Sequence, residues 1–126
     1  MEDLKSKKIL MVEDDQFYRK VFRDQLTSAG FTFIEASNGE EGWHKIQSEK
    51  PDLVLLDLMM PMKNGFDVLL QMRNNPETKQ TPVIILSNLE QESDVNEGIK
   101  LGANDYLVKT DISIAQAITK IKNNLL

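Results

Sequence analysis

Glu13, Asp14, Asp57, Ser87 and Lys109 each stand where an apolar run stops. Three carboxylates, a hydroxyl and an ammonium have a definite chemistry if the fold brings them together. Carboxylates within a few ångströms of one another repel and raise one another's pKa unless a cation intervenes. Oxygen donors with no His or Cys beside them suit a hard divalent ion, Mg²⁺ before Ca²⁺. Mg²⁺ keeps several waters and is commonly completed by a phosphate oxygen. Lys109 and Ser87 then offer a phosphoryl group a positive charge and a hydrogen-bond donor. A carboxylate can itself be the nucleophile, giving an aspartyl phosphate. The set reads as a site that takes a phosphoryl group onto Asp57.

The elements that must position these residues are read from the hydrophobic pattern. Asp57 closes Leu53-Val54-Leu55-Leu56, an unbroken apolar run that reads as a strand buried on both faces. Alone, Asp57 reads equally well as a cap for the segment after it; other strands ending on polar groups decide the matter. Lys7–Val12 is such a strand, ended by Glu13-Asp14-Asp15, and Asp14 or Asp15 then caps a helix with Tyr18, Phe22, Leu26 and Ala29 at helical spacing. Gly30 stops that helix. Phe31–Ala36 is a second strand without a polar cluster at its end, and Ser37-Asn38-Gly39 turns into a helix through Trp43 and Ile46. A third helix carries Phe66, Val68, Leu69 and Met72, and Asn74-Asn75-Pro76 breaks it. Pro82–Leu86 is a β-branched fourth strand ending on Ser87. A polar helix from Gln91 to Leu101 has Val95 and Ile99 as its thin apolar stripe. Tyr106-Leu107-Val108 is a fifth strand ending on Lys109, and Ile114, Ala117, Ile118, Ile121 and Leu125 face the last helix inward.

Five strands alternating with five helices imply an α/β fold, a doubly wound parallel sheet covered on both faces. Strand order 2-1-3-4-5, taken from the flavodoxin-like class of such sheets, accounts for the second strand's missing polar end. In that order it lies outside the switch point where strands 1 and 3 carry Glu13, Asp14 and Asp57. The 126 residues leave no room for a second domain, so residues 1–126 are expected to be one unit.

Composition bounds the function classes. There are no cysteines, which excludes disulfides and thiolate metal sites and fits a reducing, cytoplasmic compartment. The first eight residues are charged with no long apolar run behind them, so no signal peptide is expected. No run approaches the ~18 apolar residues of a membrane span. A net charge of −5 argues against direct nucleic-acid or membrane binding.

Together these segments resemble the receiver domain of bacterial response regulators, over essentially the whole chain. The matching stretches are Ile9-Leu10-Met11-Val12-Glu13-Asp14-Asp15, Asp57-Leu58-Met59-Met60-Pro61 with Asn64-Gly65, Val83-Ile84-Ile85-Leu86-Ser87, and Asp105-Tyr106-Leu107-Val108-Lys109. The resemblance implies a stand-alone receiver of the chemotaxis-regulator kind. Asp57 would be the phosphoacceptor, with Asp14 the direct Mg²⁺ ligand and Glu13 orienting through water. Met59 would offer the metal its backbone carbonyl. Ser87 would swing onto a phosphoryl oxygen, Lys109 would pair with it, and the Tyr106 ring would follow as the switch. It further implies a histidine kinase or phosphotransfer protein as donor, a downstream protein as target, and a monomer that phosphorylation could dimerise.

Two positions depart from the family pattern. Thr110 follows Lys109 where the family has a proline after a cis bond. A non-proline cis bond costs about 3 kcal/mol or more, so trans is expected. Asn88 stands where a small residue is usual, and could bond phosphoryl or solvent, or hinder Ser87. Several residues have plainer readings: Tyr106 as a packed strand tyrosine, Trp43 and Met59-Met60 as core or rim filling, His44 as solvated, and Glu90, Glu92, Asp94 and Glu97 as a solvated helix face. Two rivals remain. A hydrolase with an aspartyl nucleophile would need an acid two residues after Asp57, where Met59 stands. A degenerate receiver would bind partners without being phosphorylated.

Overall fold

The computed structural model of the chain describes residues 6–126, so residues 1–5 of the stretch read for a leader lie outside the described residues. Strands and helices alternate as β1 (Lys8–Val12), α1 (Gln16–Ser28), β2 (Thr32–Ala36), α2 (Gly39–Glu49), β3 (Leu53–Leu56), α3 (Gly65–Arg73), β4 (Val83–Ser87), α4 (Glu92–Lys100), β5 (Asp105–Val108) and α5 (Ile114–Leu125). All strand pairs are parallel, in the order β2-β1-β3-β4-β5. This is the parallel sheet expected from the alternation, in the flavodoxin-like strand order taken from that class of sheets.

Successive strand residues face opposite sides, so each strand feeds two cores. Leu10, Val12, Val54, Leu56, Val83 and Ile85 pack with Ile46 of α2 and Val68, Leu69 and Met72 of α3. Ile9, Met11, Leu53, Leu55, Ile84 and Leu86 pack on the other face with Phe22 and Leu26 of α1 and Ala117 and Ile121 of α5. All four β3 residues are buried, as an apolar run between two cores must be.

Side chains start most helices. Asp15, not Asp14, caps α1 by accepting from the Phe17 and Tyr18 amides, and Asn38 and Asn64 cap α2 and α3 in the same way. Ser113 and Gln116 form a reciprocal capping box on α5. Only α4 among the five begins without a side-chain cap. Gly30, at φ 99°, ends α1 with its own amide on Thr27 O and the Phe31 amide on Leu26 O. That motif places Ala29 at the exposed helix end rather than on the apolar stripe, and moves Phe31 out of β2 into the turn.

Helix α4 departs from its expected packing. Val95 is half-buried, but Ile99 is 48% exposed, and the residue that meets the sheet is Gly98. A Cβ at Gly98 would lie 2.7 Å from Ile85 Cδ1 and 3.0 Å from the Tyr106 ring. The helix sits close because it has no side chain there, which rotates Ile99 outward. With few buried side chains and no cap, α4 is held by less than its neighbours.

Candidate functional site

The sheet register brings the acidic residues together. Val12 pairs with Leu56, and the ladder runs one bond further, the Asp57 amide donating to Val12 O at 3.0 Å. Glu13, whose amide donates to Ala36 O, and Asp57 therefore stand side by side where β1 and β3 end. Oxygens of Glu13, Asp14 and Asp57 all lie within 4.8 Å of one another. Glu13 and Asp57 are only 1% and 6% exposed, whereas Asp14 is open to solvent. The loop after β3 folds tightly over this edge: the Gly65 amide donates to Leu58 O, and a Cβ at Gly65 would sit 2.2 Å from Asp57 O.

Around the carboxylates is a cavity of about 270 Å³, whose walls include Met59, Ser87, Asn88 and Lys109. Lys109 Nζ donates to Glu13 Oε1 at 2.5 Å and lies 3.8 Å from Asp57 Oδ2. One ammonium thus serves two of the three carboxylates. Burial pushes the Glu13 carboxyl up to about 7, against the lowering effects of Lys109 and the Asp15 amide. Burial likewise raises Asp57, while Lys109 and the Leu58 amide oppose the shift. The donor set, all oxygen and short of positive charge, fits a hard divalent cation. Glu13, Asp14 and Asp57 are the side chains that could hold one.

Ser87 is fully buried, and its Oγ accepts from the Leu89 amide at 3.1 Å. Tyr106 O–H donates to the carbonyl of the same residue at 2.7 Å. The backbone of Leu89 is therefore gripped from both sides by the two residues expected to switch. The Tyr106 ring is half-buried against the core that contains Ile85.

The expected residues converge, with refinements at individual positions. Met59 is at the site, but its side chain is 63% exposed rather than filling core or rim. Trp43 and Met60 do pack on the core, and His44 is exposed. Asn88 is exposed at the cavity rim. No cis peptide occurs among the described residues, so Lys109–Thr110 is trans, and Lys109 reaches the site from the first position of a 3-10 turn.

Two α1 residues at the site were not singled out from the sequence. Arg19 Nη1 donates to the Glu13 carbonyl at 2.7 Å, and the Tyr18 ring centroid lies 4.5 Å from Lys109 Nζ. Tyr18 sits on the stripe that continues through Phe22 and Leu26, so spacing marked it as core. Its position three residues after the cap Asp15 was the available signal that it lies at the strand ends.

The family model described as the response regulator receiver domain matches residues 9–122. The alkaline phosphatase synthesis transcriptional regulatory protein PhoP of Bacillus subtilis is 38% identical over 104 residues, 82% of this chain and 42% of that protein. The transcriptional regulatory protein CpxR of Klebsiella pneumoniae is 42% identical over 102 residues, 81% of this chain and 42% of that protein. The chain spans less than half the length of these relatives. Among solved structures, the receiver domain of the Francisella response regulator 1452 superposes with a TM-score of 0.88 at 30% identity, covering 95% of this chain and 97% of that one. Vibrio cholerae chemotaxis protein CheY4 gives a TM-score of 0.88 at 27% identity, covering 95% and 99%. On fold, strand-end chemistry and family match together, the chain belongs to the response regulator receiver domain family.

Proposed function

We propose that Asp57 accepts a phosphoryl group from a phosphohistidine of a histidine kinase or phosphotransfer protein in the cytoplasm. The observation that carries this reading is the meeting of Asp57 with Glu13, Asp14 and Lys109 inside one small cavity. An Asp57 carboxylate oxygen attacks phosphorus, an acyl phosphate O–P bond forms, and the donor's N–P bond breaks with its electron pair leaving on the imidazole. The Leu58 amide holds Asp57 Oδ1 at 2.9 Å, which fixes the carboxylate plane and turns Oδ2 toward Lys109. Asp14 and Asp57 would hold a Mg²⁺ ion, with Glu13 orienting it through water and the Met59 carbonyl as a further ligand, and the ion would supply the charge neutralisation that the carboxylates lack. Lys109 moves its ammonium from Glu13 to a phosphoryl oxygen. The same groups assist hydrolysis, in which water attacks phosphorus, the Asp57 O–P bond breaks, and inorganic phosphate leaves the regenerated carboxylate.

The added negative charge gives the Ser87 hydroxyl proton a strong acceptor, where its Oγ now accepts from the Leu89 amide. Turning Oγ toward the phosphoryl group gives up its bond from the Leu89 amide, and Tyr106 O–H then loses a fixed partner. The surface made by α4, β5 and α5 changes with it, and α4 is the element with least to hold it back. That surface is read by a downstream protein. The 126 residues carry an acidic net charge of −5, which disfavours DNA as their own direct target. Phosphorylation-dependent pairing of two copies is compatible with the same surface.

The test is intact mass after incubation with a small phosphoramidate and Mg²⁺. The expected result is one phosphoryl group, labile to hydroxylamine, on the wild type and none on Asp57→Asn. A wild type that takes no such label would leave the alternative reading, a receiver that binds partners without phosphorylation. Ser87→Ala should still be labelled, with NMR shifts in α4 that no longer respond; shifts matching the wild type would remove Ser87 from the coupling.

A further inference from the structure

Lys109 is enclosed: its side chain is 12% exposed, yet among the described residues Glu13 is its one close oxygen partner, with Asp57 Oδ2 at 3.8 Å. A lysine ammonium on a flexible four-carbon stem does not hold a position through one hydrogen bond. What lies beside it is the ring of Tyr18, with the centroid 4.5 Å from Nζ, well inside cation–π range.

That ring is anchored from below. Tyr18 is in the first turn of α1, and its amide donates to the cap carboxylate of Asp15 at 3.2 Å. Its ring packs on Phe22 in a tilted arrangement, the planes at 47° and the centroids 5.2 Å apart, within the contact range of aromatic pairs. Phe22 is fully buried in the core beneath α1 and α5. The contacts run in series from core to Phe22, Tyr18 and the Lys109 ammonium.

We infer that Tyr18 is a positioning residue for Lys109, its ring face holding the ammonium over Asp57 while the hydrogen bond to Glu13 is exchanged for one to the incoming phosphoryl group. A hydrogen bond fixes one partner, whereas attraction to a ring face persists whichever oxygen the ammonium chooses. The consequence for phosphorylation rests on the function proposed above; the Lys109–Tyr18 contact does not. The hydroxyl plays no part, so phenylalanine should replace tyrosine and an aliphatic side chain should not.

The experiment compares wild type, Tyr18→Phe and Tyr18→Leu in two ways. In unphosphorylated, Mg²⁺-free protein the ε-methylene protons of Lys109 should be shifted upfield by the ring current in wild type and Tyr18→Phe, and return to the ordinary lysine position in Tyr18→Leu. With a small phosphoramidate and Mg²⁺, Tyr18→Phe should be labelled within about twofold of wild type and Tyr18→Leu about three- to tenfold more slowly, the range expected of a partly buried cation–π contact. Equal rates in the Phe and Leu variants overturn the inference. So does an unshifted Lys109 resonance in the wild type, a measurement that needs no variant to fold. A wild type that takes no label overturns the proposed function instead, and the ring-current shift then decides the contact alone.

Discussion

The two ends of the sheet treat buried polar groups in opposite ways. At the amino-terminal end of β4 and β5, Arg73 directs its guanidinium N–H groups at six acceptor contacts, the longest from Nη1 to Thr78 O at 3.5 Å. Nε and Nη2 donate to Gly102 O at 3.0 and 2.8 Å, Nη2 also to Asn104 Oδ1 at 3.1 Å, and Nη1 to Thr81 O and Lys79 O at 2.8 and 3.2 Å. Asn104 Oδ1 in turn accepts from the Val83 amide, and Asp52 accepts from the Lys8 amide where β1 begins. Side chains at that end finish the hydrogen bonds of backbone that has run out of ladder. At the carboxyl-terminal end, Glu13, Asp14 and Asp57 crowd together with a single ammonium among them. One end uses polarity to close the structure; the other leaves a charge imbalance that a cation and a phosphoryl group can resolve.

The largest expected effect falls on the closed end. Arg73→Ala leaves the Gly102 and Thr81 carbonyls without their donors, and an unsatisfied, partly buried acceptor costs about 1–3 kcal/mol. The variant should lose about 3 kcal/mol in urea unfolding, while its labelling rate, measured well below its melting temperature, should stay within about twofold of wild type. A large loss of labelling in a folded variant would show that the two ends are coupled and break the contrast.

The second effect falls on the open end and concerns pH. Glu13 has its folded-state carboxyl pushed up to about 7 by burial, above its unfolded value, so the folded protein holds that proton more tightly than the unfolded chain. Metal-free protein should therefore gain stability as pH falls from about 7 toward 4.5, and lose it as pH rises, by something on the order of 2 kcal/mol. The raised Asp57 carboxyl acts in the same direction. Saturating Mg²⁺ should flatten the slope, because a bound cation favours the deprotonated carboxylates. Urea midpoints across pH 5 to pH 8, with and without Mg²⁺, measure this; a metal-free midpoint that rises with pH would reverse the account of the site.

How much of the molecule is legible in its sequence divides along the same line. The open end was readable because its residues interrupt apolar runs: Asp57 after Leu53–Leu56, Ser87 after Val83–Leu86, Lys109 after Tyr106–Val108. Spacing along a strand determines which residues share an edge, so the convergence was set once the order 2-1-3-4-5 was assumed. The closed end was not readable, since Arg73 finds Gly102 and Asn104 about thirty positions on and nothing local marks a guanidinium for backbone carbonyls. Nor was the rotation of α4, where Gly98 packs by having no side chain and a periodic apolar stripe pointed to Ile99. Tyr18 packs on the core as its stripe implies, and its second contact was not readable for a related reason: a helical stripe that begins at the strand ends serves both core and site.

The smallest effect sharpens the contrast within the open end itself. Glu35, near the end of β2 and paired in register with Met11, is a carboxylate on the same sheet, yet it takes no part in the cluster. Arg23 donates to both of its oxygens and Arg19 to Oε1, all between 2.9 and 3.1 Å, and these partners hold its carboxyl below the usual range, Arg23 most of all. A lowered pKa has the opposite linkage to that of Glu13: the stability it gives is present above the unfolded value and is lost as pH falls through the folded one. The side chain is 33% exposed, so solvent and salt screen the pairs and Glu35→Gln should cost only about 0.5 kcal/mol at pH 7. That cost should shrink in acid and in high salt, and the labelling rate should not change. A carboxylate with two guanidinium partners has its charge already answered, whereas Asp57 has only an ammonium that Glu13 holds more closely. If Glu35→Gln slowed labelling as strongly as a change at Lys109, Arg19 would have to be counted with the site through its bond to the Glu13 carbonyl, and pairing would no longer separate the structural carboxylates from the reactive one.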